Sequence, residues 1–222
     1  GKTAAFLLPI IHKILNNNTE RCLIVVPTRE LANQVQKEIR DFSNGTFIKE
    51  VLVIGGASYK VQINLLQRDP HFVVATPGRL IDLFKQNKID LKKFNNIVLD
   101  EVDEMLDMGF IKDIELIISK LSPNKQSMFF SATMNKKSES ISNRFLKNPV
   151  KIQMPQEDVL ANIEQNIIKY GIREQKLNVL HNLLVNTNYS KVLVFSKTRK
   201  GADVIAKHLK NRGHQADVIH GQ

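Results

Sequence analysis

The sequence predicts an α/β fold in which helices cover both faces of a parallel sheet. Short β-branched runs alternate with amphipathic segments along most of the 222 residues, which is the pattern of successive βαβ units. Runs such as 97–99 (Ile-Val-Leu) are apolar without alternation, as expected for strands buried on both faces. In open sheets of this class, ligands bind beyond the carboxyl ends of the strands, so functional residues are expected there.

The predicted elements follow one another along the chain. The strands are 22–26, 50–54, 72–75, 96–99, 127–130, 191–195 and 216–219. The helical segments are 4–15, 29–42, 59–68, 79–85, 110–121 and 200–212. Strand, Ser/Thr-rich turn and helix recur on both sides of residue 150, which indicates two related α/β units.

The regular alternation weakens between about residues 149 and 162, where Pro149, Pro155 and a polar run interrupt it. We interpret 154–162 as a linker between a domain over 1–153 and the first part of a second domain over 163–222. The net charge of +10 divides evenly between the first 150 residues and the remaining 72. The second segment is therefore about twice as dense in positive charge as the first.

Composition excludes several classes of protein. Hydrophobic residues make up 42% and charged residues 24% of the chain, as in globular domains and unlike collagen, disordered tails or disulfide scaffolds. The longest apolar stretch, around 6–11, is far too short to span a bilayer, so no membrane association is predicted. Cys22 is the single cysteine and can form no internal disulfide, which favours a reducing, intracellular setting. The basic excess fits nucleic acid, acidic partners or solubility alone.

The chain begins with Gly1-Lys2-Thr3 and a helical stretch, which matches the last three residues of a P-loop. In such a loop the glycine lets the backbone approach phosphate, the lysine reaches the β- and γ-phosphates, and the hydroxyl binds Mg²⁺ at a helix N-terminus. Three residues are a short signature, and a solvated chain start is the alternative interpretation.

Two polar clusters follow predicted strands. Asp100-Glu101-Val102-Asp103 comes directly after strand 96–99, where one carboxylate can hold Mg²⁺ through its water shell and a neighbour can orient or deprotonate an attacking water. An acidic, solvated helix start is the alternative. Ser131-Ala132-Thr133 follows strand 127–130, and its hydroxyls can bridge the acidic turn to a second domain or simply cap a helix.

Two helix starts carry an arginine and are typical of anion sites. Thr28-Arg29 and Thr76-Pro77-Gly78-Arg79 each follow a predicted strand. In both, the threonine can cap the helix, and the helix N-terminus favours a negatively charged ligand. Gly55-Gly56 would let a third backbone segment approach a ligand closely. Each of these segments, taken alone, also fits ordinary turn chemistry.

Taken in order, the sequence shows Gly-Lys-Thr, Pro-Thr-Arg-Glu-Leu-Ala (27–32), Gly-Gly, Thr-Pro-Gly-Arg, Asp-Glu-Val-Asp and Ser-Ala-Thr. This series resembles the motifs of the DEAD-box ATP-dependent RNA helicases. Val-Phe-Ser-Lys-Thr-Arg (194–199) and His220-Gly221 are similar to the opening motifs of that family's second RecA-like domain. The resemblance covers nearly the whole chain, and six ordered motifs at matching spacing are far more specific than any one of them.

The resemblance implies a P-loop NTPase fold with RecA-like parallel sheets, comprising most of domain 1 and the first part of domain 2. It implies that Gly1, Lys2 and Thr3 bind ATP, and that Thr3 and Asp100 hold Mg²⁺, partly through water. Lys2, Asp100 and Glu101 would be catalytic, with Glu101 positioning the hydrolytic water.

The same resemblance assigns coupling and RNA-binding roles. Asp103, Ser131 and Thr133 would couple hydrolysis to domain closure. The residues implied to contact the RNA backbone are Thr28, Arg29, Gly55, Gly56, Thr76, Gly78, Arg79, Thr198 and Arg199. Such contacts read phosphate and sugar, so we expect RNA binding to depend on salt and to be nearly indifferent to base sequence.

The implied activity is RNA-stimulated ATP hydrolysis coupled to local unwinding of RNA duplexes or to remodelling of ribonucleoproteins. The implied partners are single-stranded and short duplex RNA together with ribonucleoproteins. A monomeric core in the cytoplasm, without membrane contact, is expected.

Three departures from the family pattern bear on these expectations. Val102 stands where the family usually has alanine, and we expect the added volume to be tolerated. The sequence lacks the glycine-rich first half of the P-loop and the later arginines that supply transition-state charge, so we expect a piece of a longer enzyme. Two alternatives stay open: a non-catalytic module that binds RNA or a partner, and a metabolic P-loop kinase, against which the linker and second unit count.

Overall fold

The computed structural model describes residues 1–133, 136–153, 163–171, 173–186 and 189–221. The chain divides into two compact units, Gly1–Lys151 and Ile152–Gln222. The predicted linker, 154–162, lies outside the described residues. The predicted domain boundaries therefore stay a prediction.

The first unit is built on one five-stranded sheet in which every pair of neighbouring strands is parallel. The spatial order is β2-β3-β1-β4-β5, so β1 lies at the centre. Leu23 of β1 is in register with Val73 on one side and Ile97 on the other. The strands are β1 (Cys22–Val25), β2 (Glu50–Val53), β3 (Phe72–Ala75), β4 (Asn96–Leu99) and β5 (Gln126–Phe129). The five strands predicted for this unit are confirmed to within one residue.

Nine helices accompany these strands in the described part of the chain, together with a 3₁₀ turn at Leu91–Lys93. The first unit contains α1 (Lys2–Asn16), α2 (Arg29–Phe42), α3 (Tyr59–Leu66), α4 (Pro77–Lys85), α5 (Val102–Asp107), α6 (Ile111–Lys120) and α7 (Lys136–Phe145). The second unit contains α8 (Arg173–Asn186) and α9 (Arg199–Asn211). The six helices predicted from the pattern are confirmed to within two residues at each end.

The sheet carries a separate hydrophobic core on each face. Successive strand residues point to opposite faces, so Ile97 and Leu99 enter one core and Val98 enters the other. The first core is closed mainly by α4, α5 and α6, and the second by α1 and α2. Burying each large side chain contributes about 1.5–3 kcal/mol, and the three inner strands β1, β3 and β4 are apolar at every position except Asn96.

The second unit differs from the prediction at its strands. Residues 191–196 and 214–221 form no strand among the described residues, so the strands predicted at 191–195 and 216–219 are wrong for this structure. The physical reason is the lack of a neighbour: a strand is stabilised by its ladder, and no described segment pairs with either one. Phe195 and Ile219 are accordingly 88% and 95% exposed.

Within the second unit, α8 and α9 pack against each other. The ring of His181 on α8 lies 2.9 Å, nitrogen to nitrogen, from that of His214, which follows α9. Among the described residues, no helix in either unit is long and apolar enough to cross a membrane.

Candidate functional site

The functional residues predicted in the first unit lie at one edge of the sheet. All five strands are parallel, so the loops that follow them emerge at the same edge. Helix α1 precedes β1 and runs back against it, since Lys13 in its last turn donates from Nζ to Oδ1 of Asn96 at the opposite edge, 3.1 Å away. The N-terminus of α1 is thereby brought to the functional edge.

Gly1, Lys2 and Thr3 form the start of α1. Gly1 is the N-cap residue, no side chain caps the helix, and no acidic residue occupies its first turn. The first N–H groups of the helix are left without a capping side chain, so together with the helix dipole they favour an anion. Burial raises the pKa of both Asp100 and Glu101, and the nearby charge of Lys2 opposes this rise without outweighing it.

Asp100 is held at the end of β4. Its backbone N–H donates to the carbonyl of Val25 at 3.1 Å, continuing the ladder to β1. Its Oδ1 accepts a hydrogen bond from the backbone N–H of Glu101 at 3.0 Å. The residue is only 4% exposed, and this burial is the main reason that the pKa of Asp100 lies above its ordinary value.

Glu101 turns the chain sharply from β4 into α5. It adopts the left-handed conformation, with φ of 53° and ψ of 52°, as the N-cap residue of that helix. Such a conformation is costly for a residue with a side chain and is found most often at functional sites. Burial, and secondarily the neighbouring charge of Asp100, raises the pKa of Glu101.

Asp103 and the Ser131-Ala132-Thr133 segment are joined by hydrogen bonds. Oδ2 of Asp103 accepts from the backbone N–H of Thr133 at 2.9 Å and from its hydroxyl at 2.8 Å. The hydroxyl of Ser131 donates to the carbonyl of Thr133 at 2.6 Å. Burial raises the pKa of Asp103, but hydrogen bonds, the strongest of them from Thr133, together outweigh burial and hold the pKa below its usual value.

Backbone hydrogen bonds fix the two segments side by side. Phe130 donates from its N–H to the carbonyl of Leu99 at 2.8 Å, and Val102 donates to the carbonyl of Phe130 at 3.1 Å. Val102 itself is 2% exposed and belongs to the core beneath the turn. One oxygen of Asp103, Oδ1, is buried without a partner among the described residues.

These side chains fit a nucleotide and a magnesium ion. Among the described residues, no group of three or more His, Cys, Asp or Glu is placed to hold a metal ion. Mg²⁺ does not need such a group, because it keeps several waters and binds one or two carboxylates together with phosphates. The hydroxyl of Thr3 and the carboxylate of Asp100 are ligands of the required oxygen type.

A second cluster lies at the exits of β1 and β2. The hydroxyl of Thr28 accepts from the N–H of Leu31 at 3.2 Å and caps α2, as predicted from the sequence. Arg29 is exposed, and its side chain approaches Gly56: a Cβ added there would lie 2.5 Å from Nη1 of Arg29. Gly56 has φ of +79°, so the backbone conformation favours glycine, and an added Cβ would also displace the Arg29 side chain.

Gly55 and Gly56 are held in place by a side chain that the motifs do not include. Gln62 on α3 is 3% exposed. Its amide accepts from the N–H of Ile54 and donates to the carbonyl of Ile54, both at 3.1 Å. Sequence reasoning missed this residue because a glutamine inside a short helix is normally solvated.

The segment Thr76-Pro77-Gly78-Arg79 begins α4 at the exit of β3. Thr76 is the N-cap residue, but its hydroxyl makes no capping hydrogen bond, so the predicted side-chain cap is wrong. Its N–H donates instead to the carbonyl of Val53 at 3.0 Å, joining the exits of β3 and β2. Pro77 occupies the first turn as expected, and a Cβ at Gly78 would meet open space.

Arg79 reaches across to the glycine segment. Its Nη1 donates to the carbonyl of Ala57 at 3.0 Å. Its guanidinium carbon lies 3.9 Å from the ring centroid of Tyr59. The two predicted RNA-contacting segments, Gly55–Gly56 and Thr76–Arg79, are thereby connected through side chains.

Thr198 and Arg199 belong to the second unit, where they begin α9. The hydroxyl of Thr198 accepts from the N–H of Gly201 at 3.0 Å and caps the helix. A Cβ at Gly201 would lie 2.5 Å from the hydroxyl of Ser196 and 2.9 Å from that of Thr198, so this helix start is closely packed. The N-terminus of α9 has the same cap and adjacent arginine as that of α2.

The chain matches a family model described as DEAD/DEAH box helicase over residues 1–141. It is 40% identical over 223 residues to the ATP-dependent RNA helicase CshA of Listeria monocytogenes. It is 39% identical over 223 residues to the DEAD-box ATP-dependent RNA helicase RhpA of Helicobacter pylori. The alignments cover all of this chain but only 43% and 45% of the two relatives, so the chain spans less than half their length.

Two solved structures are similar in fold. A DEAD box protein from the hyperthermophile Methanococcus jannaschii matches with a TM-score of 0.67 and 35% identity, covering 100% of this chain and 59% of that one. A hypothetical ATP-dependent RNA helicase from Sulfolobus tokodaii matches with a TM-score of 0.66 and 36% identity, covering 93% and 59%. The predicted α/β, RecA-like fold is confirmed.

Proposed function

Because this chain belongs to the DEAD/DEAH box helicase family, we propose that the protein is an RNA-dependent ATPase. It couples hydrolysis of ATP, with Mg²⁺, to the opening of short RNA duplexes or the remodelling of ribonucleoproteins. The core acts as a monomer in the cytoplasm. The proposal concerns the whole protein, of which this chain provides the nucleotide-facing and RNA-facing edge of the first unit.

The observation that carries the proposal is that one edge of the sheet holds two adjacent clusters, one acidic and one cationic. The exits of β4 and β5, with the start of α1, bring together carboxylates, hydroxyls and Lys2. The exits of β1, β3 and β2 bring together two arginines and a glycine turn. Since the strand order is β2-β3-β1-β4-β5, the two clusters are adjacent, as an enzyme that couples a nucleotide to a polyanion requires.

In the acidic cluster, each group has a distinct task. The free N–H groups of α1 and the ammonium of Lys2 receive phosphate oxygens. Thr3 and Asp100 hold Mg²⁺, which when bound supplies charge stabilisation to the transferring phosphoryl group. Glu101 orients the attacking water and accepts its proton, a task for which a carboxylate of raised pKa is suited.

In the cationic cluster, the ligand is the sugar-phosphate backbone. This cluster offers guanidinium groups, a helix N-terminus and close backbone approach, all of which recognise phosphate rather than bases. Its residues are Thr28, Arg29, Gly55, Gly56, Thr76, Gly78 and Arg79. Thr198 and Arg199 offer the same chemistry from the second unit. Asp103, with Ser131 and Thr133, links the acidic turn to β5 and transmits closure of the two domains to the catalytic residues.

The test is ATP hydrolysis by the whole protein, with and without single-stranded RNA. We expect the rate to rise on addition of RNA of any sequence, and to fall steeply in Glu101→Gln. Single-stranded DNA of equal length is the matched control for the polyanion. An ATPase rate indifferent to RNA would exclude the proposal and favour a metabolic kinase.

The isolated 222 residues provide a second comparison. If they bind RNA without sustained hydrolysis, they act as a binding module in isolation, and catalysis depends on the rest of the protein. Multiple turnover by the isolated chain, abolished in Glu101→Gln, would show that these residues suffice.

A further inference from the structure

The cationic half of the sheet edge, which is the cluster at the exits of β1, β2 and β3, contains an aromatic side chain that none of the motifs includes. Tyr59 is the first residue of α3 and is 40% exposed. Its ring lies against the guanidinium of Arg79, with 3.9 Å between the guanidinium carbon and the ring centroid. The two other cation–π contacts among the described residues are longer, at 5.4 and 5.5 Å. The contact with Tyr59 is therefore a direct stack.

Arg79 is restrained from a second direction as well. Its Nη1 donates to the carbonyl of Ala57 at 3.0 Å, so the guanidinium is fixed between a ring and a carbonyl. A guanidinium has five N–H donors, and this hydrogen bond uses one. The remaining donors on the planar group stay able to meet two oxygens of one phosphate.

Both contacts come from the same short segment of chain. Ala57 follows Gly56 directly, and Tyr59 begins the helix that Gln62 anchors to Ile54. The position of Arg79 is thereby tied to the position of the glycine turn. A long, rotatable side chain loses less entropy on binding when it is already ordered.

We propose that Tyr59 is a positioning residue of the RNA-binding edge, holding Arg79 in the orientation in which its free N–H groups receive a backbone phosphate of single-stranded RNA. The inference rests on the proposed function of this edge. In this inference Tyr59 acts through Arg79, whose guanidinium covers one face of the ring.

The first experiment measures the affinity of the whole protein for a fluorescein-labelled uridine decamer by anisotropy, with ATP and Mg²⁺ present. A cation–π contact of this exposure predicts that Tyr59→Ala weakens binding by about 3- to 10-fold. Tyr59→Phe keeps the ring and should stay within about 2-fold of the original affinity. Val61→Ala is the matched control, because Val61 lies on the same helix and is 56% exposed.

A double-mutant cycle separates positioning from direct contact. In the Arg79→Ala background, Tyr59→Ala should have no further effect on affinity. Equal losses in both backgrounds would mean that Tyr59 contacts RNA by itself, and the inference would be overturned. Loss of affinity in Arg79→Ala but not in Tyr59→Ala would overturn the inference while leaving the proposed function standing. No loss in Arg79→Ala would also overturn the inference, whereas the proposed function is excluded only by an ATPase rate that does not respond to RNA.

A second measurement needs no RNA. The chain contains no tryptophan and three tyrosines, so Tyr170→Phe together with Tyr189→Phe leaves Tyr59 as the only fluorescent tyrosine. In that background, Arg79→Ala should change the emission of Tyr59 and increase its quenching by acrylamide. Arg68→Ala, two residues beyond the end of α3, is the control for loss of a charge. Unchanged emission and quenching in Arg79→Ala would overturn the inference.

Discussion

The two halves of the functional edge are built differently although one sheet positions both. In the acidic half, Asp100 and Asp103 are 4% and 8% exposed, and each carboxylate accepts backbone hydrogen bonds. In the cationic half, Arg29 and Gly56 are exposed, and Arg79 is fixed by one hydrogen bond and one ring. The two aspartates of the acidic half are buried at the edge of the hydrophobic core, whereas Arg29 and Gly56 of the cationic half lie on the surface.

The difference follows from what each half has to do. The role proposed for Glu101 is to accept a proton near neutral pH, which a raised pKa favours, and burial is the main cause of that raised pKa. A cation that receives a phosphate has to be accessible to the ligand, because the attraction acts between groups that meet at the surface. Substitutions in the acidic half should therefore affect ATP turnover and stability, and those in the cationic half should act mainly on RNA affinity.

The largest effect is expected at Glu101. Glu101→Gln keeps the size of the side chain and the turn but removes the proton acceptor, so ATP turnover by the whole protein should fall by about 10²- to 10⁴-fold. RNA affinity should stay unchanged. Glu104→Gln, an exposed position on the same helix, is the matched control. Turnover that survives in Glu101→Gln would mean that another group positions the water.

This asymmetry explains what the sequence could and could not predict. The five strands of the first unit are short apolar runs between turn residues, so their positions and their shared edge follow from pattern alone. The left-handed turn at Glu101, the double hydrogen bond from Thr133 to Asp103 and the stack of Tyr59 on Arg79 depend on neighbours distant in sequence. Local patterns contain no information on such contacts.

The strands predicted at 191–195 and 216–219 fail for a related reason. Their composition is that of buried strands, yet a strand also needs a hydrogen-bonded neighbour, and none is found among the described residues. Helix α8 was equally hard to predict, because its apolar residues do not gather on one face. Residue composition indicates that a segment favours the strand conformation, but a strand forms only where a neighbouring strand is available to pair with it.

The second prediction tests access in the cationic half. Gly56→Ala forces a side chain onto a backbone with φ of +79° and places a methyl group 2.5 Å from Nη1 of Arg29. A left-handed residue with a Cβ costs about 1–2 kcal/mol, so we expect RNA affinity to fall about 10-fold as the turn or Arg29 shifts. Gly78→Ala, where the added Cβ meets open space, is the control. An equal loss in both variants would show that conformation at Gly56 is not the cause.

The third prediction tests the buried hydrogen bonds of the acidic half. Thr133→Val removes the hydroxyl donor to Asp103 while keeping the shape, which should lower the free energy of unfolding of the first unit by about 1 kcal/mol. Cys22 reports this change, because it is fully buried in β1 and burial raises the pKa of its thiol. Its labelling by a thiol reagent requires opening of the unit, so the rate should rise about five-fold in Thr133→Val.

The control for that measurement comes from the other half. Arg29→Ala should leave the rate of Cys22 labelling unchanged, since Arg29 is exposed and donates to no carboxylate among the described residues. A matching increase in both variants would contradict the contrast drawn between a buried acidic half and a surface cationic half.

The smallest effect is expected for Arg29→Ala on RNA binding, and it concerns the salt dependence more than the affinity. Under the proposed function, Arg29 at the start of α2 contributes one phosphate contact, so its removal should weaken binding a few-fold and equally for uridine, adenosine and mixed decamers. The slope of log affinity against log salt should decrease by about 0.7, the value for one single-stranded phosphate. Arg29→Lys keeps the charge and should restore the slope. A loss confined to one base sequence would mean that Arg29 reads a base, and the cationic half would then be more than an electrostatic surface.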